Sequence, residues 1–516
     1  MKADFRQHQR NAFSLRLLPS LAIFLSLVVA SEAASGQART PSQGSGNSNQ
    51  SVAVAAPQYG SQQTGSGAGA SFSVQAQSPF SGSVPSGSAT SAVIPLSFTE
   101  AINRGLRQNL GLLLSADSTL AARGQKWHEL SNLLPNVSAS VLESIQETSL
   151  AALGLKGTLL GGGRNVPSVI GPFNYFDSRI YLNQSLFNFN YIEKTRAALE
   201  NEKASQFNYK DARELVVLAV GNSYLRALSG AARVETAEAQ VKTAQALSDK
   251  AIAQQNAGVS PAIDALRAKV ELQSRQQQLI ASRTDFAKQK LTLARIIGLP
   301  SGQEFALSDT APYEALATQG VEESLHRAYA LRADYQAAQA QMRAAELNRH
   351  AATAEHLPSL DFSADYGAIG VSPRSTDSTY RMAGVLNIPI FQGGKAHADA
   401  LEAEATLRQS RAQVENLRGQ IDYEVRTAML DLEAAADQVA VARSSVDLAQ
   451  QTLTQAQDRF AAGVTDNLEV IQAQEALASA NENYISGLYA HNVAKVEFAK
   501  AIGYAEEGVK QYLRGK

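Results

Sequence analysis

Two carboxylates occupy the same place in two copies of one pattern. Asp264 lies six residues beyond Gly258, and Glu469 lies six residues beyond Gly463. An acid placed just after a turn opens a helix and stabilises its positive end. The other side chains offer little chemistry. Gly161-Gly162-Gly163-Arg164 lacks the Gly-Lys-Ser/Thr that a phosphate loop needs, and no convincing strand precedes it. The seven histidines are scattered, and His350 and His356, six apart, do not share a helix face. The chain has no cysteine, which excludes disulfides, thiolate metal sites, thiol nucleophiles and an acylated N-terminal cysteine. No Ser/His/Asp arrangement stands out. The residue types point to no enzyme, no metal and no cofactor.

The elements that must position these acids are duplicated. Ala257-Gly258-Val259-Ser260 returns 205 residues later as Ala462-Gly463-Val464-Thr465, and Ile297-Gly298 returns at the same offset as Ile502-Gly503. Before the first turn, Val234, Ala237, Val241, Ala244, Ser248 and Ala251 alternate steps of three and four. Val439, Ala442, Val446, Ala449, Leu453 and Ala456 repeat those steps before the second. Such spacing is an a/d seam, which buries an apolar stripe against a partner helix. A repeat this long makes one half a structural copy of the other.

Each copy reads as helix, β-hairpin, very long helix, tight turn and return helix. The first helix is expected to start at an N-cap on Thr99 and run unbroken to about Leu134-Pro135; its copy ends at Leu357-Pro358. The period then becomes two. Leu360, Phe362, Ala364 and Tyr366 alternate with Ser359, Asp361, Ser363 and Asp365, and Ile180, Leu182 and Leu186 alternate with Arg179, Tyr181, Asn183 and Ser185. Returning strands are expected over 177–189 and 379–391, with a long loop over 153–173 in the first hairpin only. About 70 residues with no proline follow, from Phe187 to Gly258 and from Phe391 to Gly463, enough for a helix of roughly 100 Å. Helices return over 261–297 and 467–502.

Lys2, Arg6, Arg10 and Arg16 precede an apolar run over 17–30, and Ser31-Glu32-Ala33 suits a signal peptidase. The expected organisation is a signal peptide over 1–33 and a disordered Ser/Gly/Gln-rich leader over 34–93. A first repeat then covers 94–300, a linker 301–320, a second repeat 321–505 and a tail 506–516. No stretch after the signal is expected to span a membrane as a helix, so any insertion must use strands. Acidic and basic residues nearly balance, 48 against 46, which leaves no field to recruit nucleic acid.

Signal peptide, duplicated hairpin and long helix together resemble the outer membrane efflux protein (TolC-like) family over about residues 96–505. The carriers are Leu96-Ser97-Phe98-Thr99-Glu100-Ala101, the two Leu-Pro helix ends, the strand exit Pro389-Ile390-Phe391-Gln392-Gly393-Gly394 and the two Ala-Gly-Val turns. The resemblance implies a mostly α protein with a small β-barrel part. In that picture a homotrimer forms a 12-stranded barrel in outer-membrane lipid above a periplasmic α-helical tunnel. It implies an exit duct for a tripartite efflux pump or type I secretion system, with a periplasmic adaptor and an inner-membrane pump of RND or ABC type as partners. A trimeric coiled-coil surface or adhesion protein without a channel is the alternative.

The resemblance also implies roles for the turns. Ala257, Gly258, Val259, Ala462, Gly463 and Val464 match adaptor-docking tips, and Asp264 and Glu469 match acids at the periplasmic pore constriction. Where the family has a gate arginine this chain has Thr465; where it has a second acid, Gln472; where it has a tyrosine, Phe460. Without the salt-bridge partners, closure is expected to rest on packing of Phe460, Val259 and Val464.

Overall fold

The computed structural model describes residues 78–152, 167–309, 316, 320–465 and 467–512. The signal peptide, most of the leader, residues 153–166 of the first hairpin, much of the linker and the end of the tail lie outside the described residues. A short strand β1 (Ile94–Leu96) leads into the first copy: α1 (Phe98–Gln108), α2 (Leu110–Ser131), β2 (Asn136–Ser149), β3 (Val169–Phe187), α3 (Phe189–Asn256) and α4 (Ala262–Ile297). A strand β4 (Phe305–Leu307) pairs in parallel with β1. The second copy is α5 (Val321–Leu331), α6 (Ala333–Thr353), β5 (Ser359–Ser372), β6 (Ser375–Asn387), α7 (Lys395–Ala461) and α8 (Asn467–Ala501), and α9 (Ala505–Tyr512) is the last described element.

The first helix of each copy is broken, not continuous. Asn109 and Arg332, at equivalent places 223 residues apart, take extended backbone (ψ 130° and 120°) between helices. The causes are side chains. Asn109 is fully buried; its Oδ1 accepts from the Gly111 N–H at 3.0 Å, capping α2, and its Nδ2 donates to the Phe80 carbonyl at 2.7 Å. Arg332 is 2 % exposed and reaches Asp334 and Glu424, each at 2.6 Å. Against each break sits the glycine that ends a return helix, Gly298 or Gly503, both at φ 71°. A Cβ on Gly298 would lie 2.5 Å from the Gln108 Cβ, and one on Gly503 2.7 Å from the Arg332 nitrogen. Left-handed backbone and close approach together require glycine there. The N-cap is Ser97, not Thr99: the Ser97 Oγ accepts from the Glu100 N–H at 3.2 Å.

Residues 78–93 also differ from the expected leader. Pro79–Ser81 form a 3₁₀ turn, and the Phe80 ring fills the space a side chain at position 111 would need. Gln303 holds the Thr90 N–H and the Ala92 carbonyl, both at 2.8 Å. Absence of charge reads as disorder, yet the apolar Phe80, Ile94 and Leu96 anchor this stretch to the main core. That core joins α1, α3 and α4 through Phe98, Ile102, Val216, Val220, Tyr224, Leu293 and Ile297. The Tyr224 hydroxyl donates to the Leu96 carbonyl or Asp309, at 3.0 and 2.9 Å. One window of α3 is apolar enough to span a membrane (mean hydropathy 1.3), contrary to expectation. It is 61 % buried inside the chain, so it is a core helix by packing.

The strands form one antiparallel sheet in the order β2-β3-β5-β6. The two hairpins therefore lie side by side through β3–β5 pairing, and β2 and β6 are its edges. The returning strands begin earlier than expected, at Val169 and Ser375, and end at Phe187 and Asn387. Residues 169–173 thus belong to β3 and not to the loop, while Pro389–Gly394 lie beyond the strand, with Ile390 and Phe391 almost fully exposed.

Where α9 docks on α3, Glu214 accepts the Ala505 N–H at 3.2 Å, and burial pushes its carboxyl up to about 7 despite that bond. A carboxyl whose folded pKa is raised binds more protons folded than unfolded. Its contribution is complete below the ordinary carboxylate range and is lost as pH rises through about 7. Thermal unfolding in detergent should thus show a midpoint that falls between pH 5 and pH 8 more steeply in the wild type than in Glu214→Gln; equal slopes would refute this.

Candidate functional site

Both tight turns are built the same way. The Val259 N–H bonds the Gln254 carbonyl at 3.0 Å and the Gly258 N–H bonds that of Gln255 at 2.9 Å. Val464 and Gly463 do the same to Arg459 and Phe460, at 3.0 and 3.1 Å. This double closure of a helix end needs a left-handed residue, and Gly258 and Gly463 supply it at φ 74° and 71°. No atom lies within 4 Å of where their Cβ would be, and Val259 and Val464 stand 74 % and 69 % exposed. Two glycine-valine knuckles thus project from the ends of the longest helices.

The acids sit just behind the knuckles. Ser260 Oγ donates to Asp264 at 2.9 Å, and Thr465 Oγ1 donates to Glu469 at the equivalent place. The hydroxyl–carboxylate pair is thus duplicated, but its cation is not. Asp264 has Arg267 one turn on, at 3.8 Å; Glu469 has Arg459, reaching across from the last turn of α7 at 2.9 Å. Each cation faces glutamine in the other copy: Gln472 matches Arg267, and Gln254 matches Arg459. Sequence reasoning missed Arg459, although a signal existed. Residues 459 and 469 are symmetric about Val464, so a tight antiparallel helix pair must bring them together.

Phe460 is placed differently from expectation. It is buried within the chain, packed with Leu247, Ala251, Ala265, Leu453, Ala456 and Val470, with the Lys250 ammonium 5.2 Å from its ring centre. It locks the α3/α4 pair to the α7/α8 pair and presents no free face to a constriction. Thr465 is half-buried and Gln472 exposed.

At the other end, the sheet has two unlike faces. Pairing aligns Val137, Leu182, Ala364 and Met382 in one row, and Ala139, Ile180, Tyr366 and Tyr380 in the next row on that face. Ser140, Arg179, Gly367 and Thr379 form a row on the opposite face, at the same height. Arg179 bonds Asp177 at 3.2 Å and, more closely, Asp365. A charged cluster halfway along strands whose other face is largely apolar at that height suits a wall between water and hydrocarbon.

The description "Outer membrane efflux protein" matches residues 121–299 and 324–504, which is most of the chain and both copies. The chain belongs to the outer membrane efflux protein family. The membership places it in the outer membrane as an efflux or secretion channel, and the surface-adhesin alternative finds no support in it. It is 26 % identical over 331 residues to the pyoverdine export outer membrane protein OpmQ of Pseudomonas aeruginosa, covering 62 % of this chain and 68 % of that one. It is 22 % identical over 352 residues to the alkaline protease secretion protein AprF of the same species, covering 65 % and 71 %. The chain thus spans about two thirds of the length of these curated relatives. The fold matches the Campylobacter jejuni CmeC outer membrane channel with a TM-score of 0.68 at 16 % identity, over 81 % of this chain and 88 % of that one.

The knuckle geometry generates a direct test. Valine at position 258 or 463 puts a β-branched side chain in left-handed backbone, at a cost of at least about 1–2 kcal/mol. Amide hydrogen exchange in Gly258→Val and Gly463→Val should quicken at the turns and leave the strands unchanged. Protection equal to wild type at the turns would show that the glycines are dispensable there.

Proposed function

We propose that three copies of this chain assemble into the outer-membrane exit duct of a tripartite efflux pump or type I secretion system. The observation that carries this reading is the sheet. It has one face that is largely apolar around the middle of the strands, an opposite face that carries the charged cluster, and two open edges. Each unpaired backbone group left in lipid costs several kcal/mol, so the edges must be closed. Four strands cannot close on themselves around a lumen, whereas three copies give twelve strands and a water-filled passage. The helices α3 and α7, 68 and 67 residues long, extend about 100 Å from the sheet and form the walls of the periplasmic tunnel. The membership and the relatives are those of channels, and the reading requires no catalysis, metal or cofactor.

The knuckles Ala257-Gly258-Val259 and Ala462-Gly463-Val464 are the docking tips for a periplasmic adaptor, which links the duct to an inner-membrane RND or ABC pump. Exposed valines on a rigid, capped turn give a partner an apolar contact that costs little to order. Behind them, threefold symmetry gathers Asp264 and Glu469 into rings that favour cations. Arg267 and Arg459 hold those acids within each chain and replace the missing family arginine as gate cations, with Thr465 and Gln472 at the same level. Phe460 serves the gate from behind by fixing the two helix pairs together. Cargo follows from the pump: one relative is named for pyoverdine export and another for protease secretion.

Purified protein in planar lipid bilayers tests the gate. The double variant Arg267→Gln with Arg459→Gln removes these two arginines from the acids and leaves their hydroxyl partners, and its single-channel conductance should rise well above wild type. Cells carrying it should become sensitive to bulky antibiotics. Conductance indistinguishable from wild type would remove the two arginines from the gate.

A further inference from the structure

The Arg179 cluster lies far from the knuckles, and the duct reading uses it to orient the sheet without saying what it does to passing solutes. Its side chain starts on β3, runs over β5 and ends on β6, where Nη2 donates to Thr379 Oγ1 at 3.2 Å. That path exists because the strand between is bare. A Cβ on Gly367 would lie 2.9 Å from both Cα and Cβ of Arg179. Along the way the guanidinium engages Asp177 and Asp365, and all three side chains are only 15–17 % exposed. The alternation of the strands puts Asp177, Asp361, Asp365 and Asp377 on this face, with only Arg179 and Arg381 to balance them. Among these, Arg179 is held against two of the acids by ion pairs.

We propose that Arg179 is a specificity-determining residue of the barrel lumen, masking two mid-strand carboxylates so that solutes of either charge can pass. The inference rests on the closed twelve-stranded barrel. Its reach follows from two lengths. Twelve tilted strands about 4.8 Å apart enclose a wall of radius roughly 12 Å, and side chains narrow the opening further. Wall charges act over a Debye length of about 8 Å at physiological salt but only about 3 Å at 1 M. The belt therefore polarises the whole opening in dilute salt and little of it in concentrated salt. Four acids against two arginines leave a surplus of two negative charges per chain on this face; loss of Arg179 raises it to three.

Reversal potentials of full-length protein in bilayers under a KCl gradient test this. The parent carries Asp264→Asn and Glu469→Gln, so that the knuckle acids no longer set the ion preference. Adding Arg179→Gln should raise the potassium-over-chloride permeability ratio several-fold in 0.1 M salt, with the difference fading at 1 M. Arg179→Lys, which keeps the charge, should stay near the parent, and Asp177→Asn with Asp365→Asn should swing the ratio towards chloride. Channels of normal conductance in Arg179→Gln with an unchanged ratio would overturn the inference and leave the duct intact. Wild-type protein that forms no channels would overturn the duct reading and this inference with it, and wild type is recorded beside the parent for that reason.

Discussion

A β-sheet edge in hydrocarbon has nowhere to put its N–H and C=O groups, and that constraint organises the rest of this protein. The four strands present two such edges, β2 and β6, together with an apolar face and a charged face. In the proposed duct, closure through other copies would satisfy the edges and turn the charged face towards water. A barrel closed in this way would still have to be continued at its periplasmic end by something long and self-satisfied. Helices meet that requirement, because every backbone bond is internal to the segment. The two long helices can persist only by burying an alanine-rich stripe on other helices, which their return helices and the duplicated copy provide.

Duplication explains both the order and the asymmetry of the molecule. The two copies share helix breaks at Asn109 and Arg332, glycine stops at Gly298 and Gly503, and knuckles at Gly258 and Gly463. They differ in how each feature is held. One break is capped by an amide that also grips the N-terminal segment; the other is held by a buried arginine with two acids. Desolvation of the buried arginine offsets much of the attraction to its two acids. The same divergence appears behind the knuckles, where one copy draws its cation from the return helix and the other from the long helix.

Much of this was legible in the sequence. Local rules with strong spacing signals, such as the a/d seams, the glycine turns and the alternating strands, placed the long helices, the knuckles and the two faces of the sheet. What stayed hidden was whatever depended on a single side chain reaching another element. Nothing in the helical pattern around residue 109 announces a break, because Asn109 makes it by bonding Gly111 and Phe80. The charge-poor segment before the first repeat reads as unstructured, since composition averages over the few apolar residues that anchor it. Phe460 was read from the resemblance as part of a constriction, while its neighbours place it between helix pairs. Arg459 was overlooked because its partner is ten residues away and across a turn.

The central claim is that the sheet edges are satisfied by other copies of the chain, three in all. The chain has no cysteine, so a pair can be introduced cleanly. With Ser140→Cys on β2 and Ala383→Cys on β6, both on the charged face, a short bismaleimide should join neighbouring chains in outer membranes. The account predicts covalent trimers on a denaturing gel, with dimers as intermediates and nothing larger. Monomers alone, or a ladder continuing beyond three, would contradict it.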